Sequence, residues 1–340
     1  MEVSGLYYDI ITVGSATIDV FAYSDKSEII EIRSKKHNIE FITYPLGTKL
    51  ALNEINYELG GGGTNTAAAL SKMGFKTAFL GQIGDDFIGK EIMKHIKTHN
   101  IDFVGNVREG EPSSFSIILD SVEKDRTILA YKGVSADPLK DAPVVDALLY
   151  YYTSPGEDGL GTYEKHMSMV HKRRSHIAFN PSSYLAGLGA EKLKELLKKT
   201  DILIVNAEEL SLLSKDLVEK KKEHYTIIEG IKTLHKYGPK TIVVTDGKND
   251  VYASDSHFVY SAPIRKTKVV ETTGAGDCFG ATFAGMIMKK HSITDALDYA
   301  LINSASVVSF RGPKNGLLTM EQLELVKKRV PKLDWNKREL

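Results

Sequence analysis

One cysteine, Cys278, stands in a chain of 340 residues, so no internal disulfide can form and no cysteine pair has metal-ligand spacing. That scarcity fits a reducing compartment and argues against a structural zinc site. An excess of either charge is missing too. The 44 lysines and arginines balance 44 aspartates and glutamates with signs alternating along the chain, which disfavours nucleic acid as the main partner. No apolar run reaches the ~18 residues of a membrane span, and Glu2 and Asp9 surround a short apolar run where a targeting segment would be basic. The expectation is a soluble cytoplasmic protein without membrane contact. Neither a GxxxxGK[ST] loop nor a GxGxxG turn after a strand occurs, so Walker-type and dinucleotide sites are unsupported.

What is present is a rhythm. Asp9 to Val13 (DIITV), Thr77 to Leu80, Asp201 to Val205 (DILIV) and Thr241 to Thr245 (TIVVT) have the unbroken apolar character of parallel strands buried on both faces. Helical periodicity fills Thr64 to Met73, Ile88 to Thr98, Glu191 to Lys199, Glu208 to Leu217, Tyr225 to Tyr237, Phe279 to Lys290 and Ile293 to Ser309. The alternation implies an α/β fold, a mostly parallel central sheet with helices on both faces. Two stretches break the pattern. Glu40 to Leu59 is turn-punctuated, and Ser114 to Leu119 with Asp125 to Tyr131 reads as a hairpin turning near Val122 to Lys124. They are expected to form a small β lid, inserted at about 40–59 and 114–131 in a single domain spanning 1–340.

Two segments carry chemistry. "ELGGGGTNTAAALSKMG" (Glu58 to Gly74) sets four glycines before a helix; they serve either as a packing point and flexible loop or as a close backbone approach to a ligand. Asn65 there can cap the helix or bond a ligand hydroxyl. "ETTGAGDCFGATFAG" (Glu271 to Gly285) runs from a strand into a helix and exposes backbone N–H groups where the helix dipole favours an anion, phosphate above all. Asp277 has two readings. The dipole alone stabilises an acid at a helix start, and the same dipole keeps its carboxylate ionised as a proton acceptor for a hydroxyl held beside a phosphate.

The glycine segment, continuing through "AFLGQIGDDFIGKEI" (Ala78 to Ile92), and the TTGAGD segment together resemble the two signature regions of the PfkB family of carbohydrate kinases, and the likeness extends from about Ile10 to Gly312. The resemblance implies the three-layer ribokinase-like fold and transfer of the γ-phosphoryl group of ATP, with Mg²⁺, to a hydroxymethyl group of a sugar or sugar-like acceptor. It implies Asp277 as general base and the N–H groups of Ala275, Gly276 and Asp277, in the turn that begins at Gly274, as the anion hole. Asp19, Gly60, Gly61 and Asn65 match the acceptor-binding positions; apart from the resemblance, Asp19 reads as a loop residue making an Asx turn. Asn206 and Glu209 match an N-x-x-E element that holds nucleotide phosphates and Mg²⁺, Glu209 through water, and equally form a helix capping pair. Thr245 and Gly247 match a nucleotide-binding turn in which Asp250 replaces a second glycine.

Other departures bear on cofactors. Glu271 stands where the family has an aspartate tied to a monovalent cation such as K⁺, and Leu301 falls where a polar residue meets the base. Relatives pair their lids between subunits, so a homodimer is expected. A nucleoside kinase is the alternative, with Tyr150 to Tyr152 or Phe115 stacking the base. A catalytically silent sugar-binding protein is the reading from another class, opposed by the presence of Asp277, Asn206 and Glu209.

Overall fold

Successive residues of a strand point to opposite faces, so a strand apolar at every position must be covered on both. Residues 8–13 satisfy this: Ile10 lies in one apolar core and Ile11 and Val13 in another, all fully buried. The computed structural model describes residues 7–25, 28–33, 38–120, 126–215, 217 and 226–340.

The strands are β1 (Tyr8–Val13), β2 (Thr17–Tyr23), β3 (Glu28–Arg33), β4 (Asn38–Thr43), β5 (Glu54–Gly60), β6 (Thr77–Leu80), β7 (Gln82–Gly84), β8 (Asp102–Phe103), β9 (Asn106–Arg108), β10 (Ser114–Asp120), β11 (Arg126–Tyr131), β12 (Ala147–Tyr152), β13 (His176–Phe179), β14 (Ile202–Asn206), β15 (Thr241–Thr245), β16 (Asp250–Ser254), β17 (Phe258–Pro263) and β18 (Asn336–Glu339). The α-helices are α1 (Gly62–Lys72), α2 (Phe87–Thr98), α3 (Leu160–Lys172), α4 (Ser183–Gly187), α5 (Lys194–Leu197), α6 (Ala207–Ser214), α7 (Ile227–His235), α8 (Ala275–Met288), α9 (Ile293–Val307) and α10 (Met320–Arg329).

Ten strands form the central sheet in the order β18-β17-β16-β15-β14-β13-β12-β1-β6-β8. Pairing is parallel from β15 through β8, while β16, β17 and β18 add an antiparallel edge. One face packs on α1, α2, α8, α9 and α10, and the other on α3 to α7. The four apolar runs of the sequence are β1, β6, β14 and β15. Tyr150, Tyr151 and Tyr152 fill β12 at the middle of this sheet and are fully buried, so they cannot stack against a base as the nucleoside reading supposes.

A second sheet of four strands, in the order β11-β10-β2-β5, stands apart from the first. The β10–β11 hairpin has the expected pairing, and its turn lies outside the described residues. The rest differs from expectation. From 40–59 only β5 joins this sheet; β4 pairs instead with β3 in a separate hairpin. The central strand is β2, which the sequence reading leaves as loop, so Asp19 sits mid-strand between Ser116 on β10 and Glu58 on β5 rather than in an Asx turn. Alternation was obscured there because β2 buries Ile18 and Ala22 on one side while carrying Asp19 on the other.

The stretch "IGDDF" works mainly as scaffold. Asp86 caps α2 by accepting the Gly89 N–H at 2.7 Å, and also accepts from the Ser113 N–H at 2.9 Å and the Ser113 hydroxyl at 2.7 Å. Partial burial pulls this carboxyl upward, but the bonds from Ser113 and Gly89 outweigh it and hold the group below its usual value of 3.8. Folding therefore favours the ionised form, and the gain is complete above the unfolded value and fades as the pH falls through the lower folded one. Asp86→Ala is expected to cost about 1–3 kcal/mol in denaturant unfolding at neutral pH, with the gap to wild type narrowing at pH ~3.

Candidate active site

The turn that opens α8 is built from Gly274, whose φ of 75° favours a residue without a side chain. A Cβ there would also lie 2.5 Å from Pro313. The first intrahelical bond runs from the Cys278 N–H to the Gly274 carbonyl at 2.9 Å, so the N–H groups of Ala275, Gly276 and Asp277 have no acceptor within the helix. That of Ala275 turns back to the Thr272 carbonyl at 3.2 Å, which engages one of the three amides expected to receive phosphate. Gly274, Gly276 and Asp277 line a cavity of about 220 Å³ together with Asn180, Asn206, Glu209, Thr245 and Phe279.

This cavity lies at the carboxyl ends of β14 and β15, where ligands of open α/β sheets bind. Asn206 caps α6 and forms a reciprocal pair with Glu209: the Glu209 N–H donates to Asn206 Oδ1 at 2.8 Å, and the Asn206 N–H to Glu209 Oε2 at 2.9 Å. The capping reading and a place on the cavity thus coexist in the same two residues. Burial pushes the Glu209 carboxyl up, partly offset by the Asn206 N–H and the Ser183 hydroxyl. Thr245 reaches the cavity from the end of β15. Gly247, at φ 55° in the turn after it, is not among the lining residues, and Asp250 opens the antiparallel strand β16.

The glycine segment lies on the other side of Asp277. Gly61 precedes α1 with φ 94°, and a side chain there would strike the Ser15 carbonyl at 2.5 Å. Gly60 gives room to Asp19, whose Oδ2 would be 2.0 Å from a Cβ at that position. Asn65 does not cap α1. Its Nδ2 donates to Asp277 Oδ2 at 2.8 Å, tying the two signature segments together across 212 residues. Burial raises the Asp277 carboxyl above its ordinary value, while the Asn65 bond and the charge of Lys314 oppose the rise. Burial raises Asp19 likewise, against the hydroxyl of Ser116 and the Lys314 charge.

Lys314 escaped the sequence reading. It is only 9% exposed and its Nζ donates to the Leu59 carbonyl and to Asn65 Oδ1. A lysine between Pro313 and Asn315 reads as a solvated turn; nothing local signals that the turn folds onto Gly274 and β5. Glu271 is buried, and its Oε2 accepts the Gly312 N–H at 3.0 Å, so a carboxylate the sequence ties to K⁺ is engaged by backbone. Leu301 is 5% exposed and packs in the core on the α9 side. Phe115 packs 6.1 Å from Tyr131 on the small sheet.

Mg²⁺ keeps most of its water and takes few protein oxygens. Asn206 and Glu209 supply oxygens on one cavity, which fits such an ion held through water, although among the described residues no three acidic, histidine or cysteine side chains cluster as a self-sufficient metal site.

A central, mostly parallel sheet with its cavity at the strand ends, beside a smaller sheet carrying Asp19, is an α/β architecture with a ligand site at the carboxyl ends of its strands. The family model for pfkB carbohydrate kinases matches residues 9–320, and the chain belongs to that family. It is a sugar or nucleoside kinase, a phosphotransferase with an alcohol group as acceptor. Among curated relatives, ribokinase of Bacillus subtilis (strain 168) is 27% identical over 328 residues, spanning 93% of this chain and 98% of its own. The structure of Arabidopsis thaliana ribokinase complexed with ribose and ATP superposes with a TM-score of 0.75 at 21% identity, covering 95% of this chain and 99% of that one. The Methanocaldococcus jannaschii nucleoside kinase does so with a TM-score of 0.71 at 18% identity, covering 95% and 99%. The fold is ribokinase-like. No helix among the described residues is long and apolar enough to cross a membrane.

The clearance around Gly60 makes a direct test of the acceptor side. Gly60→Ala is expected to displace the Asp19 carboxylate and lower kcat/KM for the acceptor at least ~10-fold, with nucleotide affinity within about twofold of wild type by calorimetry.

Proposed function

We propose that this kinase transfers the γ-phosphoryl group of ATP to a hydroxyl, a hydroxymethyl by preference, of a sugar or sugar-like acceptor. The observation that carries the reading is the position of Asp277: it lines the cavity at the strand ends with Asn206, Glu209 and Thr245, and it is bonded from the opposite side by Asn65. A phosphate held at the α8 N-terminus and a hydroxyl held near Asp19 and Asn65 would therefore meet at this carboxylate. Asp277 takes the proton of the acceptor hydroxyl, the acceptor oxygen forms its bond to the γ-phosphorus, and the bond from that phosphorus to the bridging oxygen breaks to release ADP. The amides of Gly276 and Asp277 receive the charge of the transferring group, with that of Ala275 joining once it leaves Thr272. Glu209, with Asn206, would hold Mg²⁺ through water, and the ion would neutralise charge on the phosphates.

Asp19 and Asp277 make the acceptor side acidic, which favours a neutral polyol over a sugar acid. The nucleoside reading survives without the tyrosines of β12, because Phe115 on β10 of the small sheet is left as a residue to stack against a base. The four-stranded sheet then acts as the lid that keeps water from the phosphoryl group. Its strands β5 and β11 expose Tyr57 (62%) and Ile128 (55%), and we assign these faces to a second copy of the chain.

Asp277→Asn is expected to lower kcat by roughly 10² to 10⁴ while thermal shifts by nucleotide and acceptor persist. Wild-type turnover in that variant would remove Asp277 as base. A thermal-shift screen of neutral sugars, sugar acids and nucleosides in the presence of a non-hydrolysable ATP analogue identifies the acceptor. Light scattering on the wild-type chain is expected to give twice the chain mass, and Tyr57→Arg with Ile128→Asp a monomer; a monomeric wild type contradicts the pairing.

A further inference from the structure

Lys314 is the one buried ammonium among the described residues of the acceptor side, and the phosphoryl-transfer chemistry above leaves it without a task. Its Nζ donates to the Leu59 carbonyl at the end of β5 and to Asn65 Oδ1 on α1. An ammonium can only donate and a carboxylate can only accept. Placed on either side of one amide, they admit a single orientation of Asn65: Oδ1 toward Lys314, Nδ2 toward Asp277 Oδ2 at 2.8 Å. The bond occupies Oδ2 and leaves Oδ1 of Asp277 for the proton of the acceptor.

We propose that Lys314 is the positioning residue of the reaction: through Asn65 it fixes the rotation of the Asp277 carboxyl, and by its charge it keeps that carboxyl ionised. The proposal rests on Asp277 as the general base.

The groups around both ends bear this out. Asp19 on β2, Asp277 on α8 and Glu58 on β5 face Lys314 with negative charge, and His95 on α2 feels its field. Asp277 is further surrounded by the Tyr151 phenol on β12 and the Cys278 thiol, both pushed upward by burial and therefore neutral. Near Asp277, Lys314 is thus the one cation among the described residues that opposes desolvation, assisted by the Asn65 bond. Burial pulls Lys314 itself down to about 7 against the attraction of the three carboxylates, so its charge is strongest on the acid side of neutrality. The turn that carries Lys314 is clamped from both directions: Pro313 lies against Gly274, while Arg311 meets Glu54 at 3.0 Å and Asn315 approaches Glu58 at 3.4 Å.

The test compares Lys314→Met, Lys314→Gln and Lys314→Arg with wild type, reading the acid limb of kcat against pH, KM for the nucleotide, and the melting temperature. Loss of the charge in Lys314→Met is expected to move the acid limb upward by about one pH unit or more and to lower kcat at neutral pH at least ~10-fold, with KM for ATP within about twofold. Lys314→Arg, which keeps charge and donors, restores the limb. A packing role alone would lower the melting temperature of Lys314→Met and leave the limb in place; that result, or a limb unmoved in the folded variant, overturns the proposal. Should Lys314→Met fail to fold, Lys314→Gln decides alone: a raised limb supports the proposal, and the wild-type limb overturns it. Asp277→Asn separates the two levels. If it retains turnover, the base assignment falls; if it is inactive while the Lys314 variants titrate like wild type, only the role of Lys314 falls.

Discussion

The hydrogen bond from Asn65 to Asp277 is the contact on which the rest of the site depends. It closes a gap of 212 residues and joins the start of α1, which follows the small sheet, to the start of α8, which faces the nucleotide cavity. Neither helix has a side-chain cap; each begins instead at a glycine with positive φ, Gly61 and Gly274. With no side-chain cap, the Ala275 N–H turns to the Thr272 carbonyl and the Gly63 N–H to the Ser15 carbonyl, while Asn65 and Asp277 in the first turns bond each other. The cost is local stability at two helix termini, offset by packing of α1 against α8 on the same face of the sheet.

The charge balance follows from the same arrangement. Asp19, Glu209 and Asp277 are all raised by burial, so each carboxylate is ionised at some cost. Lys314 compensates Asp19 and Asp277, whereas Glu209 is held by backbone and hydroxyl donors of its own helix cap and neighbour. A protein selected only for stability would not gather these groups in one place. Under the proposed roles, hydroxyl donors of the acceptor would satisfy Asp19 and a cation accompanying phosphate would satisfy Glu209, with Asp277 between the two.

Much of this was legible in the sequence because the two signature segments obey local rules. The apolar runs of β1, β6, β14 and β15 had to be buried strands, and TTGAGD had to be a turn into a helix. The pairing of Asn206 with Glu209 was readable from its three-residue spacing alone. What could not be read depends on distant neighbours. β2 looks like a loop until β10 and β5 flank it, and the three tyrosines of β12 look like ligand-stacking residues until two layers of helices cover them. Lys314 is the extreme case, since its burial is imposed by Gly274 and β5, each far away in the chain.

The placement of Asp19 has a consequence for how specificity can change within such a fold. Its strand is held between Ser116 and Glu58, and all three belong to the small sheet. The cavity at the ends of β14 and β15, by contrast, is lined by residues of the large sheet, its helices and their connecting turns. The cavity therefore rests on the scaffold with the greatest packing, where a shift of a few tenths of an ångström is resisted. Under the proposed function, acceptor recognition would rest largely on the four strands of the small sheet, where side chains can be exchanged without disturbing the core. Asp277 belongs to the first and is bonded by Asn65 of α1, the helix that follows β5, so the acceptor could vary while the proposed base stays in register with the phosphate.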